Sequence, residues 1–113
     1  MSDRLPSHLL VSALVRRANE EGGFATVLAR GDRDSGVILL VCSERGALPF
    51  FLERGLGPNG KPQLMRSGPQ DLADTEQANG YWQRRRARDP DLWVIELDIA
   101  DSERFAAVTL LPV

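Results

Sequence analysis

Two short polar segments hold most of the side chains that could do chemistry. The first is Arg84-Arg85-Arg86-Ala87-Arg88, which runs directly into Asp89-Pro90-Asp91. On a helix successive residues point about 100° apart, so the arginines fan around the axis while Arg85 and Arg88 share a face. Guanidinium groups placed that way can grip a phosphate or carboxylate bidentately. The second segment is Arg30-Gly31-Asp32-Arg33-Asp34-Ser35-Gly36. Its aspartates look like the start of a calcium loop. Counted from Asp32, however, the required glycine falls at Val37 and the bidentate glutamate at Ser43, so the match fails and turn chemistry accounts for them. The candidate ligand- or partner-binding set is therefore Arg85, Arg88, Asp89 and Asp91, joined by Asp32 and Asp34. It requires the two segments to lie close together in the fold.

Little else in the chain points to catalysis. His8 is the single histidine and Cys42 the single cysteine, and they stand in different segments. No Ser-His-Asp set, no Cys-His pair and no metal-ligand spacing can be assigned, so no catalytic residue, metal or cofactor is expected. Cys42 sits inside the most apolar run, where a free thiol reads as buried and inert. Gly55-Leu56-Gly57-Pro58-Asn59-Gly60 has the glycine spacing of a nucleotide loop. It joins two strand candidates rather than a strand and a helix, and Pro58 removes an amide that a phosphate cradle would use. With a net charge of −2 and a pI near 5.4 the chain lacks a field that attracts nucleic acid.

The elements that must position these residues follow from punctuation and periodicity. A chain of 113 residues is one domain by size. A first helix is expected from His8 to Glu21, capped by Ser7 and stopped by Gly22-Gly23. Phe24 to Arg30 and Val37 to Cys42 read as a β-hairpin around the glycine-bracketed loop, the second strand apolar enough to be central. Leu48 to Arg54 is a third strand, reached through the turn Arg45-Gly46-Ala47 and started or edged by Pro49. Pro62 to Met65 is a short fourth.

A second helix, Leu72 to Arg88, begins at an Asp71 cap and ends before Pro90. Its Tyr81-Trp82 and the later Trp93 are expected to meet in the core. Trp93, Ile95, Leu97 and Ile99 alternate with Val94, Glu96 and Asp98, the pattern of a half-buried strand. A short helical turn follows at Asp101-Ser102-Glu103-Arg104. The apolar tail Val108 to Val113 either adds a strand or packs on a second copy as a homo-oligomer contact. The expected fold is thus α+β: one domain, residues 1–113, with an antiparallel sheet of about four or five strands and two helices packed on it, both on one face.

The chain resembles the domain-of-unknown-function 1491 family, small proteins found mainly in alphaproteobacteria. Three stretches carry the likeness: Ala13-Leu14-Val15-Arg16-Arg17-Ala18, Arg30 to Gly36, and Arg84-Arg85-Arg86 leading into Asp89-Pro90-Asp91-Leu92-Trp93-Val94-Ile95-Glu96. The likeness covers about Leu5 to Phe105. Arg88 stands where the family usually has an aromatic residue, and Ser35 where it more often has alanine. The resemblance implies a stand-alone cytoplasmic bacterial protein and brings no mechanism with it.

No signal-peptide pattern precedes Leu5, and no apolar run approaches the roughly 20 residues that span a bilayer, so a cytoplasmic protein without membrane contact is expected. The leading functional expectation is a non-enzymatic binding or regulatory module that uses an Arg/Asp-rich surface toward a protein partner or an anionic small molecule. The second is an enzyme acting on an anionic small molecule, with arginine anchors and a carboxylate base. Third comes weak nucleic-acid binding through Arg84 to Arg88, which needs those arginines on one surface with Arg16 and Arg17.

Overall fold

The apolar run Val37 to Cys42 becomes the middle of the sheet. In the computed structural model, which describes residues 5–44 and 47–111, β2 (Ile38–Ser43) is third of five strands. Of the turn predicted at Arg45-Gly46-Ala47, the first two residues lie outside the described ones. The other elements are α1 (Ser7–Glu20), β1 (Phe24–Ala29), β3 (Phe50–Leu56), β4 (Pro62–Ser67), α2 (Thr75–Arg88), β5 (Trp93–Asp98) and α3 (Ser102–Leu110). The strand order is β1-β5-β2-β3-β4. β2 and β5 run parallel and every other pair is antiparallel, so the expected α+β class holds, with one parallel pair inside a mostly antiparallel sheet.

The expected hairpin does not form. β5 lies between β1 and β2, antiparallel to the first and parallel to the second. Two physical causes favour the insertion. Trp93, Val94, Ile95 and Leu97 are all buried, so β5 gains most from neighbours on both edges as well as cover on both faces. The connection 30–37 is also long enough to step over a strand, a lateral distance of about 10 Å. A tight two-residue turn would have forced adjacency; this loop does not.

Helices cover both faces, not one, and there are three of them among the described residues. On one side Leu10, Val11, Leu14 and Ala18 of α1 and Phe105, Ala106 and Leu110 of α3 pack on Ile38, Leu40, Cys42, Ile95 and Leu97. On the other side Ala78, Tyr81 and Trp82 of α2, with Leu72, pack on Leu39, Val41, Phe51 and Val94. Tyr81-Trp82 and Trp93 therefore do not meet as expected: Trp82 joins the α2 face and Trp93 the α1 face. A strand buried at every position from Ile38 to Cys42 demands cover on both sides, which is why the helices divide. Of the apolar tail, which forms the end of α3 and not a strand, Thr109 and Leu110 are buried and Val108 is exposed; Pro112 and Val113 lie outside the described residues.

The caps shift slightly from expectation. Gly22 takes φ +85°, and the Gly22 and Gly23 amides donate to Asn19 O and Ala18 O, closing α1 as the glycine pair implies. Ser7 is inside α1 rather than before it. Asp74, not Asp71, caps α2 by accepting from the Gln77 amide at 2.9 Å, while Gln77 Oε1 accepts from the Ala73 amide at 2.9 Å. That reciprocal pair fixes the start at Thr75. Cys42 is fully buried, and burial pushes its thiol up to about 12, which removes it as a nucleophile at neutral pH.

Candidate anion-binding cleft

The loop 30–37 ties together three elements that are distant in sequence. The Asp32 amide donates to Asp91 O at 3.0 Å, and the Trp93 indole donates to Asp32 O at 2.7 Å. Arg86 of α2 donates to Arg30 O at 2.6 Å. At the start of α1 the Ser7 and His8 amides, two donors that a helix leaves unpaired, go to Asp34 O at 3.1 Å and Arg33 O at 2.9 Å. The buried Ser7 hydroxyl adds a bond to Gly36 O at 2.6 Å.

Gly31 and Gly36 are required here because the chain before β5 passes against them. A Cβ on Gly31 would lie 2.1 Å from Asp91 O, and one on Gly36 2.2 Å from the same atom. Neither glycine is among those with positive φ, so close approach, and not the turn geometry expected from sequence, explains them.

The two polar segments singled out from sequence therefore touch, but mainly through backbone. The Asp32 carboxylate accepts from the Ser35 amide at 2.9 Å, the Asp34 amide at 3.1 Å and the Ser35 hydroxyl at 3.1 Å. Those donors, Ser35 first, hold its carboxyl below the usual range. Asp34 and Arg88 are exposed. Asp89 Oδ1 accepts from the Asp91 amide at 3.1 Å and shapes the bend before β5, while Asp91 is exposed and its carbonyl faces the glycines. Arg85 turns to β3, where it pairs with Glu53 and reaches the Tyr81 hydroxyl at 3.5 Å; the Glu53 bond holds its guanidinium above its ordinary value. Arg84 to Arg88 stand on α2 and Arg16 and Arg17 on α1, helices that cover opposite sheet faces, so they do not line one surface.

Beside this junction, on the α1 face, lies an open cleft of about 590 Å³. Its polar lining is His8, Ser12 and Arg16 from α1 with Arg30, Gly31 and Arg33 from the loop. Val11, Val15, Val27 and Trp93 give it an apolar floor. No described Asp or Glu lines it. Arg16 has an exposed i,i+4 contact with Glu20 at 4.0 Å, a pair of little energetic weight. His8 Nδ1 lies 3.0 Å from Arg33 O, and since a carbonyl only accepts, Nδ1 carries the proton. That leaves Nε2 to accept from Arg33 Nη2, at 3.4 Å. Arg33 is thus anchored by its backbone at the helix start while its guanidinium stays at the cleft.

Sequence reasoning chose the aspartates of the loop and passed over its arginines. A signal was present. Each stretch that carries the family likeness contributes to this cleft: Arg16 from the first, Arg30, Gly31 and Arg33 from the second, Trp93 from the third.

Fold and cleft together define a small α+β protein with a cationic groove beside an edge strand. A family model described as "Protein of unknown function (DUF1491)" matches residues 5–107, and the chain belongs to that family. A crystal structure of a DUF1491 family protein from Caulobacter crescentus is 29% identical, covers 90% of this chain and 94% of its own, and superposes with a TM-score of 0.75. An NMR structure of a DUF1491 family protein from the same organism gives 28% identity, coverage of 89% and 91%, and a TM-score of 0.75. A solution structure from A. tumefaciens is 26% identical with a TM-score of 0.69, covering 97% and 94%. Comparison with curated proteins gave no match. Among the described residues no helix is long and apolar enough to cross a membrane, and no group of three or more His, Cys, Asp or Glu could hold a metal ion.

Proposed function

We propose that this chain is a cytoplasmic, non-enzymatic binding module that captures an anionic group in the cleft between α1 and the loop 30–37. The observation that carries this reading is the lining: Arg16, Arg30 and Arg33 surround an apolar floor and no described carboxylate neutralises them from within. A phosphate or carboxylate entering it would gain charge-assisted hydrogen bonds, and the Val11, Val15 and Trp93 floor would take an apolar portion of the same ligand. The polar centre thereby moves from the Arg85, Arg88, Asp89, Asp91, Asp32 and Asp34 set to its neighbour on the same loop.

The enzyme reading needs a carboxylate base with a pKa raised by burial. Asp32, whose neighbours line the cleft, is held low instead and stays ionised.

Calorimetric titration with inorganic phosphate and with glutarate at low salt tests the reading. Saturable one-site binding with Kd on the order of 1 mM is expected, weakening as salt screens the arginines. Heats that never saturate, or binding indifferent to salt, would reject it.

A further inference from the structure

We propose that the cleft is the anchoring end of a longer groove, and that its occupant is an extended acidic segment of a protein partner that adds to the free edge of β1; this rests on the cleft reading above. β1 pairs only with β5 among the described residues, so one side of its backbone faces outward with amides and carbonyls unused by the sheet. Exposed edges are ordinarily blunted by charge or proline. β4, the opposite edge, begins with Pro62 and carries Arg66. β1, Phe-Ala-Thr-Val-Leu-Ala, has neither. It also leaves Phe24 70% exposed.

The two sides of β1 differ in a way that defines the partner. Val27 faces the arginine cleft, so Phe24 and Thr26, of opposite parity, face the other way. There they pair with Asp98 and Glu96 of β5, which makes that side acidic beside an exposed phenyl ring. A segment added along β1 would present alternate residues to each side. Acidic residues suit the side with Arg16, Arg30 and Arg33, and apolar residues suit the side with Phe24, where Glu96 and Asp98 would repel further negative charge. A second copy of β1 has no charge to offer the arginines, which favours an acidic partner over self-pairing. The register break between Val27 and Ala29 ends regular pairing just short of Arg30, so strand addition and anion capture occupy consecutive stretches.

The probe is a capped peptide of alternating glutamate and valine, titrated into the full chain and followed by amide hydrogen exchange. Saturable binding with slowed exchange at alternate β1 amides is expected. Methylating the peptide's alternate backbone amides should weaken it at least tenfold, and replacing its glutamates with lysine should abolish it. Equal binding of the methylated and unmethylated peptides would overturn strand addition while leaving the cleft reading standing. Phosphate binding without peptide binding would do the same, whereas failure of both would sink the cleft reading too. Concentration-dependent β1 protection without peptide would assign the edge to a second copy and overturn the proposal.

Discussion

Gly31→Ala is expected to destabilise the protein by roughly 3 kcal/mol or more, because an overpacked site and two broken hydrogen bonds act together. The added Cβ would lie 2.1 Å from Asp91 O and 2.7 Å from the carbonyl carbons of Asp91 and Leu92. All are backbone atoms, so no rotamer change relieves the clash. Either the loop or the start of β5 must move. Movement breaks the bonds from the Asp32 amide to Asp91 O and from the Trp93 indole to Asp32 O. In a domain this size the loss should lower Tm by more than about 10 °C. Gly22→Ala is the matched control. Gly22 has φ +85° but nothing within 4 Å of an added Cβ, so only the backbone term of about 1 kcal/mol is expected. Thermal unfolding of both variants checks the pair; a Gly31→Ala loss no larger than that of Gly22→Ala would refute the close-approach account of this loop.

The second large effect is on binding. Removing Arg30 and Arg33 together by alanine should weaken phosphate or glutarate binding by at least about tenfold, since each charge-assisted bond is worth roughly 1.5–3 kcal/mol. Stability should change by less than about 0.5 kcal/mol, the usual range for surface substitutions. Both residues are exposed, and their shorter bonds to the fold pass through backbone carbonyls, which alanine keeps: Arg30 O receives Arg86, and Arg33 O receives His8; the side-chain bond lost is the exposed 3.4 Å contact of Arg33 Nη2 with His8 Nε2. Unchanged affinity in a folded double variant would move the site elsewhere.

The β2 position was legible because an unbroken apolar run from Val37 to Cys42 can only be satisfied at the centre of a sheet with cover on both faces. The place of β5 was not. Its sequence alternation marks a strand, but what sends it between β1 and β2 is the burial of Val94 together with Trp93, and the backbone contact of Asp91 with Gly31 and Gly36. Nothing local announces that contact, and the same glycines read equally well as turn residues. α3 was half legible: Phe105, Ala106, Thr109 and Leu110 have helical spacing, yet Val108 to Leu111 reads as strand by composition. At the candidate site, the two polar segments named from sequence do come into contact, but which side chains line the open side was not legible. Arg33 meets His8 across 25 residues, and Arg86 reaches Arg30 across 56. Which side chains face the cleft depends on such long-range contacts: Arg85 pairs with Glu53 of β3, while Arg33 lines the cleft.

The most direct test of the central claim, that the cleft beside loop 30–37 binds an anion, is an NMR titration of the full chain with inorganic phosphate. The Trp93 indole N–H, held by Asp32 O at the cleft floor, is a built-in reporter. The account predicts saturating shifts of that indole resonance and of the amides of Ser12, Gly31 and Arg33, with the Trp82 indole on the opposite face unmoved. Shifts centred on Arg84 to Arg88, or spread over the surface without saturation, would contradict it.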